Sequence, residues 1–121
     1  VALSGGVDSA SVLGLAARHL RRPRAFTVAF PGAAEDERAL AEATAAELGA
    51  DLEVAWASAE ALAGAWPAAS RACPGLAINA HLPAKWLLAA RMRAAGARVM
   101  LTKKSADEVC YGYPHPVGDA G

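Results

Sequence analysis

The sequence has few of the features that mark a secreted, membrane-spanning or nucleic-acid-binding protein. It contains only two cysteines, Cys73 and Cys110, which are far apart and lack metal-ligand spacing, so we expect two free thiols in a reducing cytoplasm. No uninterrupted apolar run approaches about 18 residues, the length that spans a membrane, and no signal-peptide pattern is present. The 12 basic residues balance the 12 acidic ones, which gives no reason to expect a nucleic-acid partner.

Length and hydrophobic content limit the chain to one domain. With 55% hydrophobic residues, 121 residues can enclose one core but not two. The chain begins inside an apolar run at Val1, and residues 114–118 near its end are rich in proline and glycine. We therefore expect residues 1–121 to be a fragment of a single domain from a longer protein.

The most informative stretch is Leu3-Ser4-Gly5-Gly6-Val7-Asp8-Ser9, which joins an apolar run to a segment with helical periodicity. A strand that ends in a hydroxyl and two glycines before a helix N-terminus is typical of an anion-binding loop. The glycines leave no Cβ between the backbone amides and a ligand, and the serines add hydroxyl donors. The alternative is a helix cap formed by Asp8 or Ser9, but a cap requires only one of these polar residues.

The loop lacks the lysine that the Gly-x-x-x-x-Gly-Lys-Ser/Thr phosphate loop places against the transferred phosphates. Its charged residue is Asp8 instead. A carboxylate beside a polyphosphate is repulsive unless a cation lies between them. Asp8 therefore predicts a magnesium ion that the protein and a nucleotide hold together.

Strand-like and helix-like segments alternate along the chain. The predicted strands are 1–3, 25–30, 51–56 and 97–102, and the predicted helices are 8–20, 35–48, 58–71 (with a kink or break at Pro67), 83–95 and a last one over 107–113. This alternation predicts an α/β fold, with a parallel sheet and helices on both faces. Ligands of such sheets bind beyond the C-terminal ends of the strands, so Ser4–Ser9, Val28 with Pro31, and Thr102–Glu108 should surround one pocket.

Two sets of motifs carry a resemblance to a known family. Ser-Gly-Gly-x-Asp-Ser resembles the signature of the ATP pyrophosphatase (PP-loop) superfamily, whose fold is adenine nucleotide alpha-hydrolase-like. The segments 80–91, 94–102, 106–109 and 112–113 are similar to the synthetase domain of class B, glutamine-hydrolysing asparagine synthetases and their amide-forming relatives. The resemblance follows nearly the whole chain in order. It also implies the same α/β fold.

The resemblance implies a reaction and a set of site residues. In that family a carboxylate attacks ATP, pyrophosphate leaves, and ammonia or another amine captures the acyl-adenylate. The implied contacts are Ser4, Gly5, Gly6, Asp8 and Ser9 on pyrophosphate, Leu3 and Val28 on adenine, Thr102 and Lys103 on the nucleotide, and Asp8 and Asp107 on Mg²⁺. For Asp107 and Glu108 the alternative is an acidic pair at a helix N-terminus. The implied partners are an aspartate-like carboxylic acid and ammonia from a glutaminase domain outside this chain.

The run Lys103-Lys104-Ser105 departs from the family, which usually has Gly-Glu-Gly or a close variant there. Lys104 replaces the family's acid/base glutamate with a cation, and Lys103 replaces a glycine that lets the backbone approach the nucleotide. These lysines could pair with phosphate or form a solvated loop. The departure gives a second hypothesis, a catalytically impaired nucleotide-binding module of the same fold. A tRNA-modifying relative would need a basic face and a sulfur-handling cysteine, and neither is visible.

Overall fold

The computed structural model describes residues 1–33, 36–73 and 81–103. In chain order its elements are α1 (Val7–Ala17), β1 (Arg24–Ala29), α2 (Arg38–Glu47), β2 (Asp51–Trp56), α3 (Ala59–Ala72) and α4 (Leu82–Ala94). The predicted α/β class and the parallel direction of the sheet are confirmed. The helix predicted over 107–113 lies outside the described residues.

The sheet is built around β1, which pairs with β2 in parallel from Arg24 opposite Asp51 to Ala29 opposite Trp56. Residues 1–3 lie along the other edge of β1 through a single parallel bridge between Ala2 and Phe26. The Ala2 amide in turn donates to the Leu101 carbonyl at 2.9 Å. Across the sheet, the described segments therefore follow the order 99–101, 1–3, β1, β2.

The prediction of a regular fourth strand over 97–102 is wrong for the described residues. This segment is assigned no strand and is joined to residues 1–3 by the bond to Leu101. Val99 is 78% exposed, and Met100 and Leu101 are also exposed. Strand composition reflects side chains that fit a half-buried pleated surface. Here no described element covers those side chains.

Helices cover both faces of the sheet, as predicted. On one face, α1 and α2 pack against the sheet in a core cluster formed by Leu3, Leu13, Ala25, Ala41 and Ala45. On the other face, α4 packs on β1 and β2, and its Arg91 forms an ion pair with Glu53 at 2.9 Å. α3 then packs against α4.

Local signals at the helix ends agree with the sequence predictions. The Ser58 hydroxyl accepts from the Ala61 amide at 3.1 Å and caps α3. Gly49 and Gly96 adopt positive φ angles of 64° and 80° just after α2 and α4, a conformation that glycine tolerates best. The predicted helix does not break at Pro67, because α3 continues through this residue.

We expect opposite effects from adding one methyl group at two glycines. A Cβ on Gly14, inside α1, would meet no atom within 4 Å. Gly14→Ala should therefore stabilise the fold by about 0.5–1 kcal/mol. Gly49→Ala should destabilise it by about 1 kcal/mol or more, because alanine disfavours a positive φ. Urea unfolding of both variants measures the difference, and equal shifts would contradict this account of the helix end.

Candidate functional site

The candidate site lies where the chain changes from one face of the sheet to the other. The connections through α1 and α2 run on one face, whereas the return to residues 97–101 runs through α3 and α4 on the other. The chain therefore leaves residues 1–3 toward α1 on one face, and it reaches residues 99–101, which lie beside them, from the other face. In open α/β sheets the crevice at such a point, beyond the strand ends, is the usual ligand site. Ser4–Ser9 and Thr102–Lys103 lie at this point.

The Ser9 side chain holds the Ser4–Ser9 loop together. Ser9 is 1% exposed, and its hydroxyl accepts from the Ser4 amide at 3.0 Å. The same oxygen lies 3.0 Å from the Ser4 hydroxyl, 3.2 Å from the Ser4 carbonyl and 2.9 Å from the Gly6 carbonyl. A hydroxyl has one proton, so it donates to one of these oxygens at a time. Ser9 therefore bonds within the loop, a structural role that the sequence did not predict.

Gly5 is in close contact with the beginning of α2. Its amide donates to the Glu37 carboxylate, with 2.8 Å between N and Oε2. A Cβ on Gly5 would lie 2.9 Å from Leu40 Cδ2 and 3.2 Å from Glu37 Cβ, closer than ordinary contact. The absence of a side chain at Gly5 is therefore needed for the approach of α2, in addition to the access to a ligand that the sequence suggested.

Asp8 forms an ion pair across the site with Lys103. The distance from Lys103 Nζ to Asp8 Oδ2 is 3.5 Å, and the two side chains are 39% and 35% exposed. Such a long, partly exposed pair contributes at most about 1 kcal/mol to stability. Its importance lies in the charge balance of the site: a cation faces the one acidic residue of the loop.

Asp8 has the donor chemistry that a magnesium ion requires. Magnesium is commonly held by one or two carboxylates together with substrate phosphates. Across residues 1–33, 36–73 and 81–103, no group of three or more His, Cys, Asp or Glu side chains is arranged to hold a metal ion. Asp8 therefore fits as one protein ligand of a metal bound mainly through phosphate oxygens. The second predicted ligand, Asp107, lies outside the described residues, as does Lys104.

A cavity of about 350 Å³ opens beside the loop. The predicted site residues that line it are Leu3, Ser4, Ser9, Val28, Thr102 and Lys103. Gly5, Gly6 and Asp8 belong to the same loop but are not among the lining residues, and Asp8 contacts Lys103, which is a lining residue. The structure thus brings together residues from three separated segments. Their roles toward a nucleotide stay predictions.

Several cavity residues were not predicted from the sequence. Glu37 falls within the predicted helix 35–48, and His81 lies just before the predicted helix 83–95. Both line the cavity, together with Phe30, Lys85 and Leu88. Phe30 and Glu37 are close in sequence to Val28 and Pro31, whereas His81, Lys85 and Leu88 are distant from every segment expected around the pocket. Pro31, which was expected there, is not among the lining residues.

The fold and the site together define a class of protein. A parallel α/β sheet carries a Ser-Gly-Gly-x-Asp-Ser loop between a strand end and a helix, beside a cavity at the point where the connections change face. The asparagine synthase family model matches residues 1–119, and the chain belongs to this family. The family implies the PP-loop superfamily and supports, in general, an ATP-dependent amide-forming synthetase that handles an amino acid and ammonia. No curated protein and no solved structure matches the chain.

The helices of the described ranges are too short or too polar for membrane insertion. None of them has the length and hydropathy that a membrane-spanning helix requires.

We expect Ser9→Ala to destabilise the protein, whereas Ser11→Ala should have little effect. Ser9 is buried, and its removal leaves the Ser4 amide without its acceptor, at a cost of about 1–2 kcal/mol. Ser11 is exposed and bonds only to the Val7 carbonyl one turn earlier, so alanine there should change stability by less than about 0.5 kcal/mol. Urea unfolding of the two variants tests this. Equal stabilities would show that the Ser9 bonds do not hold the loop.

Proposed function

We propose that residues 1–121 are part of the synthetase domain of an enzyme that adenylates a small, aspartate-like carboxylic acid with ATP and then forms an amide. The observation that supports this most is the convergence of the Ser4–Ser9 loop, Val28 and Thr102–Lys103 on one cavity. These segments are distant in sequence, and the resemblance had assigned all of them to nucleotide binding. Membership of the asparagine synthase family supports the reaction class.

The proposed reaction has two steps. First, a carboxylate oxygen of the substrate attacks the α-phosphorus of ATP, the bond from that phosphorus to the bridging oxygen breaks, and pyrophosphate leaves. Second, ammonia attacks the acyl carbon of the adenylate, AMP departs with the former carboxylate oxygen, and the nitrogen loses a proton. In the first step the protein mainly positions the reactants and stabilises the charge that develops on pyrophosphate.

The proposed roles of the residues follow from their positions. The amides of Gly5 and Gly6, at the N-terminus of α1, provide partial positive charge toward pyrophosphate. Leu3, which is buried, and the partly buried Val28 offer apolar surface to the adenine ring. Mg²⁺, held by Asp8 with Asp107, would supply positive charge toward the phosphates when bound. Lys103 adds a cation at the same edge.

The remaining proposals concern the source of ammonia, the cellular compartment and the binding partners. The ammonia would come from a glutaminase domain outside residues 1–121, as in the glutamine-hydrolysing class. The expected compartment is the cytoplasm, where the two cysteines would stay reduced. Neither a nucleic acid nor a membrane is proposed as a partner.

A second candidate function is a nucleotide-binding module with impaired catalysis. The observation that favours it is the ion pair between Lys103 and Asp8, because a glycine at position 103 could not form this pair. The neighbouring Lys104 stands where the family has its acid/base glutamate. In this version ATP still binds, whereas the adenylation and amide-forming steps are slow.

Pyrophosphate exchange separates the two candidates. Labelled pyrophosphate is mixed with the full chain, ATP, Mg²⁺ and aspartate, and label entering ATP is counted. Label that appears in ATP only when aspartate is present indicates reversible adenylation and supports the synthetase. ATP binding by calorimetry without exchange supports the impaired module. Absence of both exchange and ATP binding would refute both candidates.

The double substitution Lys103→Gly with Lys104→Glu tests whether the lysines limit catalysis. Restoring a proton acceptor should raise the rate of amide formation from aspartate, ATP and ammonia at least about tenfold, since the attacking amine loses a proton in that step and general acid–base groups commonly contribute 10²–10⁴-fold. Loss of two cations should weaken ATP binding at the same time. Arg21→Gln, which removes an exposed charge away from the cavity, is the control and should change neither quantity. An unchanged rate of amide formation in the double variant would contradict the proposed effect of the lysines.

A further inference from the structure

The Glu37 carboxylate accepts a hydrogen bond from the backbone amide of Gly5, and this amide belongs to the loop proposed to hold pyrophosphate. The distance of 2.8 Å between Gly5 N and Glu37 Oε2 is that of a well-formed hydrogen bond to a charged acceptor. Glu37 also lines the cavity. A carboxylate and a phosphate oxygen are alternative acceptors for the same N–H group. Only one of them can occupy the in-line position at Gly5.

We propose that Glu37 is an intramolecular competitor of pyrophosphate, a residue that limits how tightly this leaving group is held. The inference rests on the proposed function, and it adds a role for a residue that neither the sequence motifs nor the family resemblance assigned. When pyrophosphate binds the Gly5 amide, the carboxylate moves away. When the carboxylate returns, it displaces pyrophosphate, which assists product release.

The environment of Glu37 allows its carboxylate to leave the Gly5 amide and return to it. Glu37 precedes α2 and is exposed, so its side chain can turn toward solvent without leaving a buried charge unpaired. The beginning of α2 lies close to the loop, since a Cβ added to Gly5 would be only 3.2 Å from Glu37 Cβ. The carboxylate is therefore always near the amide, at a high effective concentration, but it is not fixed on it.

Glu37 differs from the other charged residues at the cavity, because its charge repels an anion and is not paired with Lys103. Lys85 and Lys103 line the cavity and attract phosphate, and His81 lies on the same wall. Asp8, the other acid nearby, is paired with Lys103. Removing the charge of Glu37 leaves the attracting groups in place and takes away both the competing acceptor and its repulsion.

The test compares pyrophosphate binding by the full chain and its Glu37→Gln variant, using calorimetry with inorganic pyrophosphate in the presence of Mg²⁺. Glutamine keeps the size of the side chain but is a weaker, uncharged acceptor. We expect binding to become about tenfold tighter, the scale of one competing hydrogen bond to a charged group. Glu47→Gln, which removes an equal charge ten positions further along the chain at the end of α2, should leave the affinity unchanged.

Two further measurements separate competition from a change in the shape of the loop. Adenosine lacks phosphates, so its affinity should be equal in the wild type and in Glu37→Gln, whereas a rearranged loop would change it. Glu37→Asp keeps the charge but shortens the side chain, and it should also bind pyrophosphate more tightly than the wild type, because aspartate reaches the amide less well. Thermal unfolding of each variant checks that the fold is retained.

The outcomes distinguish this inference from the proposed function. Equal or weaker pyrophosphate binding by Glu37→Gln overturns the competition, even if ATP binding and exchange by the wild type support the synthetase. If Glu37→Gln gains pyrophosphate affinity while the wild type shows neither exchange nor ATP binding, the competition is supported and the proposed function fails. Binding of pyrophosphate by neither protein overturns the competition.

Discussion

The backbone pairing of residues 1–3 with β1 is the interaction on which the site depends. The Phe26 amide donates to the Val1 carbonyl, and the Leu3 amide donates to the Phe26 carbonyl, both at 2.8 Å. These two bonds set the register of residues 1–3 against β1, and with it the point along the strand at which the Ser4–Ser9 loop begins. Leu3 packs into the core on one side of this pairing. On the other side, the bond from Ala2 to Leu101 brings the second loop of the site to the same edge.

The described site contains charged groups of both signs, each of which contacts a loop group proposed to meet the nucleotide. A carboxylate lies on the Gly5 amide, and an ammonium lies near the Asp8 carboxylate. The amide is the kind of group that binds phosphate, and the carboxylate is the kind that binds a metal ion. The Glu37 carboxylate thus takes the place of a phosphate at the amide, and the Lys103 ammonium takes the place of a metal ion at the Asp8 carboxylate. In the proposed function, ligand binding at this site is an exchange of partners, which keeps the net interaction energy smaller than a sum of contacts suggests.

The sequence predicted best what depends on local physics. The bounds of β2, Asp51–Trp56, follow from alternation of polar and apolar residues just after the Gly49 turn, and the α3 cap follows from Ser58. What it missed depends on contacts across the chain. Glu37 meets Gly5 across 32 positions, and Lys103 meets Asp8 across 95. The segment 97–102 has the composition of a strand, but its side chains at 99–101 are exposed. A local sequence pattern does not report whether other elements cover a segment.

The contact of Gly5 with α2 has a consequence for how the site and the core influence each other. Leu40 touches the position that a Gly5 side chain would occupy, and its neighbour Ala41 is fully buried in the core cluster. A displacement of the loop toward Leu40 would therefore act on a helix whose next residue is packed in the core. The loop and the core are mechanically coupled through one turn of helix. A substitution at Ala41, which does not line the cavity, can thus shift the loop that borders it.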